Sequence, residues 1–184
     1  MVDLLPFITS VISLRDPHGK EHSNHVKELS SAFGQKLDMT SAQNETLSFA
    51  AEIHDIGKIA INEFIVNKPG RFTEAEYLMI QHHAQLGANL VETLNLDPLI
   101  PLIIRHHHEN FDGSGYPHKL KGDQIPLESR IIRITDTYDA LTSNRGYRIA
   151  YTRKKALAIM EQDHSFFDPN LLEIFFEMRH SKKH

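Results

Sequence analysis

Two adjacent side chains, His54 and Asp55, join an imidazole to a carboxylate near the end of a helical stretch, just before Gly57 and Lys58. On a helix, successive residues point about 100° apart, so such a pair can flank one metal ion or serve two. A helix end carrying ordinary polar residues is the plain alternative, and the dipeptide alone does not decide between them. His83 lies on a stripe with Tyr77, Ile80 and Leu90, and Asp136 has Ile132 and Ala140 four residues to either side. A carboxylate on an apolar face needs a partner, either a bound cation or a base such as Arg133. The run His106-His107-His108-Glu109 leads directly into Asp112-Gly113-Ser114-Gly115-Tyr116-Pro117. Histidine at a helix C-terminus also has a simple dipole explanation. Four separate groups of histidines and carboxylates, in a chain with 13 histidines and no cysteine, are best explained jointly by a two-metal site with nitrogen and oxygen ligands. Such mixed sets favour iron, manganese, nickel or zinc over magnesium and calcium.

These residues must be positioned by helices. Thr40 and Gln43 have capping-box spacing at the start of a helix expected to reach about Ile56, with Leu47, Ala51 and His54 on one stripe. Thr73 and Glu76 open a second, running through Tyr77, Ile80, His83, Gly87, Leu90 and Leu94. Pro98 and Pro101 begin a shorter helix that ends in the histidine run. Leu127–Ser143 carries Leu127, Ile131, Ile134, Tyr138 and Leu141 at helical steps. Two further helices follow, with Thr152 and Asp168 as N-caps. Residues Asn62–Arg71 and Glu109–Pro126 break the pattern, and the second is a long loop rich in glycine and proline of the kind that usually carries function. The expected fold is all-α, a bundle of about seven helices with a long Gly-rich active-site loop. No repeat or linker divides it, so residues 1–184 read as one domain, an N-terminal helix over 1–14 followed by a core over 15–180.

Composition narrows the function. A net charge of −4 disfavours a general DNA or RNA binder, which needs an electropositive face. No apolar run is long enough for a membrane span, and Met1–Leu14, with Asp3 and Pro6 and no basic leader, fails as a signal peptide. The lack of cysteine suits a reducing compartment, and a cytoplasmic location is expected. Apolar residues within Leu4–Leu14 offer a face for a partner helix in a homodimer, or a cap for the bundle.

The sequence resembles the HD-GYP family, a branch of the HD superfamily of metal-dependent phosphohydrolases, from about Arg15 to the last helix. The resemblance is carried by His54-Asp55-Ile56-Gly57-Lys58, Asn67-Lys68-Pro69-Gly70, His83 with Gly87, and the complete stretch His107-His108-Glu109-Asn110-Phe111-Asp112-Gly113-Ser114-Gly115-Tyr116-Pro117. It continues through Gly122, Ile125-Pro126, Arg130-Ile131, Asp136, Asp139-Ala140-Leu141-Thr142, Arg145 and Phe167-Asp168-Pro169. It implies a phosphodiesterase for a cyclic dinucleotide second messenger, most readily cyclic di-GMP, cut to pGpG, GMP or both. It also implies metal ligands at His22, His54, Asp55, His83, His107, His108 and Asp136, with Asp55 bridging two divalent ions, iron or manganese favoured. Lys58 would lie near the attacking hydroxide or the scissile phosphate, and Asp16, Arg145 and Arg148 would contact substrate. Some relatives bind a third metal through a glutamate where this chain has His18, so two ions are expected and His18 is an atypical third-metal candidate. Gly146 replaces the usual proline between the two arginines. An adaptor that binds the dinucleotide, a diguanylate cyclase or a regulatory domain is the alternative, and a nucleotide phosphomonoesterase is a more distant one.

Overall fold

A computed structural model of the chain describes residues 19–144 and 149–181, together with Pro6, Ile8, Ser10 and Val11. Eight helices have described bounds: α1 (Gly19–Lys36), α2 (Ser41–Ile53), α3 (Glu63–Val66), α4 (Glu74–Glu92), α5 (Leu99–His106), α6 (Leu127–Thr142), α7 (Arg153–Gln162) and α8 (Pro169–Ser181). Among the described residues there is no strand, and no helix is long and apolar enough to cross a membrane. The all-α expectation holds. The helix expected over residues 1–14 falls mostly outside the described residues, although Pro6, Ile8, Ser10 and Val11 within it are helical. Asp16, His18, Arg145 and Arg148 lie outside the described residues altogether.

The caps expected from the sequence set several helix starts. Thr40 and Thr73 each accept from the backbone N–H three residues on, while Gln43 and Glu76 accept from the capping residues' own N–H groups. Asp168 Oδ1 accepts from the N–H groups of Asn170 and Leu171, and starts α8 in the same way. Such caps satisfy donors that the first helical turn leaves orphaned, at about 1 kcal/mol each.

The sequence pattern missed α1 because its buried face is built of Gly19, Ser23, Val26, Ser30, Phe33 and Gly34, too small and polar to register as an apolar stripe. Segment 62–71 also differs from expectation. The Asn62 side chain accepts from Phe64 N–H and starts the single turn of α3. On α4 the expected stripe is displaced: Tyr77 and Leu90 are exposed, and the buried face is His83, Ala84, Gly87, Ala88 and Val91. Small residues there let neighbouring backbones approach.

The core gathers the inner faces of α1, α2, α5, α6 and α8 around Phe33, Leu47, Ile53, Ile103, Ile104, Ile131, Ile134 and Phe175. The Phe175 ring meets Phe33 at 5.5 Å and Tyr138 at 5.3 Å between centroids. At one side of this core, α2 ends at Ile53 rather than Ile56, and the chain turns through a 3-10 segment, Ile56–Ala60. Gly57 in that segment lies directly on α4: a Cβ at Gly57 would collide with the His83 carbonyl and the Gly87 backbone. Backbone on both sides leaves nothing that can rotate away. Gly57→Ala is therefore expected to lower stability by about 3 kcal/mol, read as a shift of the urea unfolding midpoint with an unchanged slope.

Candidate metal centre

Five elements deliver side chains to one end of the bundle. α1 supplies His22, the end of α2 supplies His54 and Asp55, and α4 supplies His83. The end of α5 supplies His107 and His108, and α6 supplies Asp136. All seven candidate ligands lie within the described residues, and the fold brings them together. They form two groups whose ligand atoms lie within 4.8 Å of one another, His22/His54/Asp136 and His83/His107/His108, with His54/Asp55/His107 as an overlapping third.

Asp55 stands between the two groups. Its Oδ1 is 3.3 Å from His83 Nε2, while its Oδ2 is 3.4 Å from His54 Nε2 and 3.8 Å from His22 Nε2. One carboxylate thus faces each group with a different oxygen, the disposition required of a bridging ligand. Lys58, one helical turn on, places Nζ 2.6 Å from Asp55 Oδ2.

Backbone carbonyls decide which imidazole nitrogens can bind. Nδ1 of His54, His83 and His107 lies 2.7, 2.6 and 2.6 Å from the carbonyls of Ala51, Ile80 and Ile104. A carbonyl only accepts, so each Nδ1 carries a proton and each ring turns Nε2 inward, the nitrogen whose lone pair a metal can take. The Nε2 atoms of His83 and His107 then face each other at 3.3 Å with no proton to share. Two lone pairs at that distance repel, and a cation between them turns the repulsion into attraction. The spacing also suits a shared ion, since two imidazole nitrogens on one tetrahedral zinc-like ion lie about 3.3 Å apart. The residues present therefore fit a divalent transition metal.

Electrostatics support the same assignment. Burial pushes His83, His107 and His108 below the ordinary histidine pKa, and neighbouring imidazoles and cations add to the effect. They are neutral near pH 7 and ready to ligate. Burial pushes the carboxyls of Asp55 and Asp136 up, but Lys58 and His54 beside Asp55, and His22 beside Asp136, outweigh it and hold both well below the usual carboxylate range. His22 is the exception. Burial alone lowers its pKa, yet hydrogen bonds to Asp136 and Asp139 raise it to about 9. Its Nδ1 is 2.7 Å from Asp139 Oδ2, and its Nε2 is 3.2 Å from Asp136 Oδ1.

Asp139 contacts the candidate site, and the sequence left it without a role. It follows Asp136 by three residues on α6, which places both on one face, and it orients the His22 ring. Arg133 does not neutralise Asp136 through a hydrogen bond: its Nε donates to Asn110 Oδ1 at 2.9 Å and its Nη1 to Thr137 Oγ1 at 2.7 Å. Glu109 stands in the histidine run of the sequence, and the structure gives it a role that the run does not show. It is 1% exposed, and its carboxylate accepts the N–H groups of His118 and Leu120 at 2.7 and 3.1 Å, so it ties down the Gly-rich loop. Gly115 lets that loop lie on the His108–Asn110 backbone, where a Cβ would collide. The Tyr116 ring then packs over His108 at 4.9 Å between centroids.

Comparison with known proteins gives the family. Residues 6–171 match the HD domain family. The chain belongs to that family. Its complete His107–Pro117 stretch and its relatives place it in the HD-GYP branch, whose parent superfamily is metal-dependent. It is 36% identical over 160 residues to a 3′3′-cGAMP-specific phosphodiesterase of Vibrio cholerae, covering 86% of this chain and 35% of that protein. It is 33% identical over 171 residues to a cyclic di-GMP phosphodiesterase of Pseudomonas aeruginosa, covering 91% of this chain and 41% of the relative. The HD-GYP chain thus spans less than half the length of these two relatives. A solved HDG"Y"P protein from Bdellovibrio bacteriovorus has the same fold, with a TM-score of 0.73 at 21% identity, covering 95% of this chain and 59% of that one.

Two predictions follow from the state of His22. A metal must displace the proton on Nε2, so below the raised pKa binding releases that proton and is opposed by it. Apparent affinity for Mn(II) is expected to rise with pH, by about tenfold per unit where one proton is displaced, and to level off above about 9. Calorimetry in buffers of different ionisation enthalpy reads the released proton directly. Asp139→Asn removes the charge that orients His22, and metal affinity should fall about 10- to 100-fold with helical circular dichroism unchanged.

Proposed function

We propose that the chain is a phosphodiesterase that hydrolyses a 3′–5′ bond of a cyclic dinucleotide at a dinuclear metal site, with cyclic di-GMP as substrate and pGpG, GMP or both as products. The observation that carries this reading is the Asp55 carboxylate, with one oxygen toward each of two histidine-rich groups. A pair of divalent ions held there, iron or manganese by the donor set, would make hydroxide available near neutral pH and offset charge on the phosphoryl oxygens. His22, His54 and Asp136 would hold one ion, His83, His107 and His108 the other, and Asp55 both.

The remaining work falls to the protein. Lys58 is partly exposed at the edge of the site, its ammonium held against Asp55 and within reach of an incoming phosphate. Placed there, it favours the extra negative charge that develops on the phosphoryl group as the bond breaks. Tyr116 and the tethered loop wall off the His83/His108 side and limit the entry of bulk water. Arg145 and Arg148, with Asp16, are proposed as further substrate contacts, and the two arginines suit the bidentate recognition of phosphate. Curated relatives include enzymes named for cyclic di-GMP and for 3′3′-cGAMP, so both substrates belong in the assay.

The test is turnover of cyclic di-GMP and cyclic GMP–AMP by protein loaded anaerobically with Fe(II) or with Mn(II), with products separated by chromatography. The metal-loaded wild type is expected to form linear dinucleotide or mononucleotide, and a chelated sample none. His54→Ala and Asp55→Ala should lose metal and turnover together, whereas Lys58→Ala should keep its metal and lose about 100-fold in kcat/KM. Tight dinucleotide binding without product, in protein carrying both ions, would replace the enzyme reading with that of a signalling adaptor.

A further inference from the structure

A second cluster of metal-type ligands stands apart from the central one and shares no residue with it. His106, the last residue of α5, Glu109 and His118 place one ligand atom each within 4.8 Å of one another. His106 and Glu109 are buried, and His118 is exposed on the Gly-rich loop.

The chemistry repeats the device of the main centre. His106 Nδ1 lies 2.9 Å from the Leu102 carbonyl, so it carries the ring's proton and leaves Nε2 as a bare lone pair. That lone pair faces His118 Nδ1 at 3.1 Å. The separation is close to the roughly 3.3 Å between two imidazole nitrogens on one tetrahedral ion. Without an ion, a proton on His118 Nδ1 must join the two rings. An ion that takes its place leaves the His118 proton on that ring's other nitrogen, Nε2, and gains both facing nitrogens as ligands. Glu109 supplies the negative charge: its carboxylate accepts the backbone N–H groups of His118, Leu120 and Lys119, which leaves one of its four lone pairs for an ion.

We propose that His106, Glu109 and His118 form an additional site for one divalent transition-metal ion of the zinc class, separate from the dinuclear centre. Two imidazoles and one carboxylate with a position open to water are a set that zinc accepts. The two imidazole nitrogens and the single carboxylate disfavour calcium and magnesium, which take all-oxygen shells. An ion bound there would fasten the loop after Pro117 to the end of α5, one residue from His107. The inference does not depend on catalysis, since its readout is ion binding.

Native mass spectrometry of the full chain through a zinc titration, counting ions per chain, provides the test. His118 is exposed and outside the central cluster, so His118→Ala is expected to fold and keep its central ions. The wild type is expected to hold one zinc ion more than His118→Ala, and His118→Cys, which substitutes a thiolate ligand, should regain it. Equal counts in the wild type and His118→Ala across the titration overturn the proposal. A deficit that His118→Cys leaves uncorrected overturns it too. Failure of the dinuclear centre would instead appear as zinc missing from all three proteins alike.

Discussion

The bundle is arranged around a set of interactions that are unfavourable without an ion. Three imidazoles have their protons held on the outer nitrogen by backbone carbonyls, so they present lone pairs to one another across a buried space that also holds Asp55 and Asp136. Burying anionic and lone-pair-bearing groups together is costly, and the carbonyl clamps prevent the rings from turning away. The hydrophobic core offsets this cost. α2, α5 and α6 carry both the ligands and the isoleucines that pack beneath them, so the apolar contacts fix where the polar atoms end up.

The clamps also explain the chain's helix ends. His54 and His107 are C-cap residues, and His83 lies within α4 against the carbonyl three residues before it. A helix end leaves carbonyls unpaired, and a histidine there satisfies one with Nδ1 while offering Nε2 to the site. The same economy holds for His106, whose Nδ1 faces the Leu102 carbonyl. Helix termination and ligand orientation are one event at His54 and His107.

Much of this was legible in the sequence, for identifiable reasons. Thr40/Gln43 and Thr73/Glu76 marked helix starts because a capping box is a local interaction. His54-Asp55, His83, His107-His108 and Asp136 stood out because polar groups on apolar faces, or repeated histidines, are chemically conspicuous. His22 came only from the family resemblance: α1 buries serines and glycines, and nothing local marks its inner face. Asp139 escaped because its role depends on a residue distant in the chain, His22, 117 residues away. The exposed Tyr77 and Leu90 misled for the opposite reason. Periodicity counts apolar residues, whereas α4 packs by its smallest ones, where backbone approaches backbone at Gly57 and Gly87.

The glycine-rich stretch after His108 has the composition of a mobile flap but is pinned at several points along its length. Phe111 N–H is held by the Phe166 carbonyl, Gly122 N–H by the Phe111 carbonyl, Tyr116 N–H by the His108 carbonyl, and the N–H groups of His118 and Leu120 by Glu109. A segment tied in this way behaves as a fixed wall rather than a flap. Its amides belong among the slowly exchanging ones of the protein.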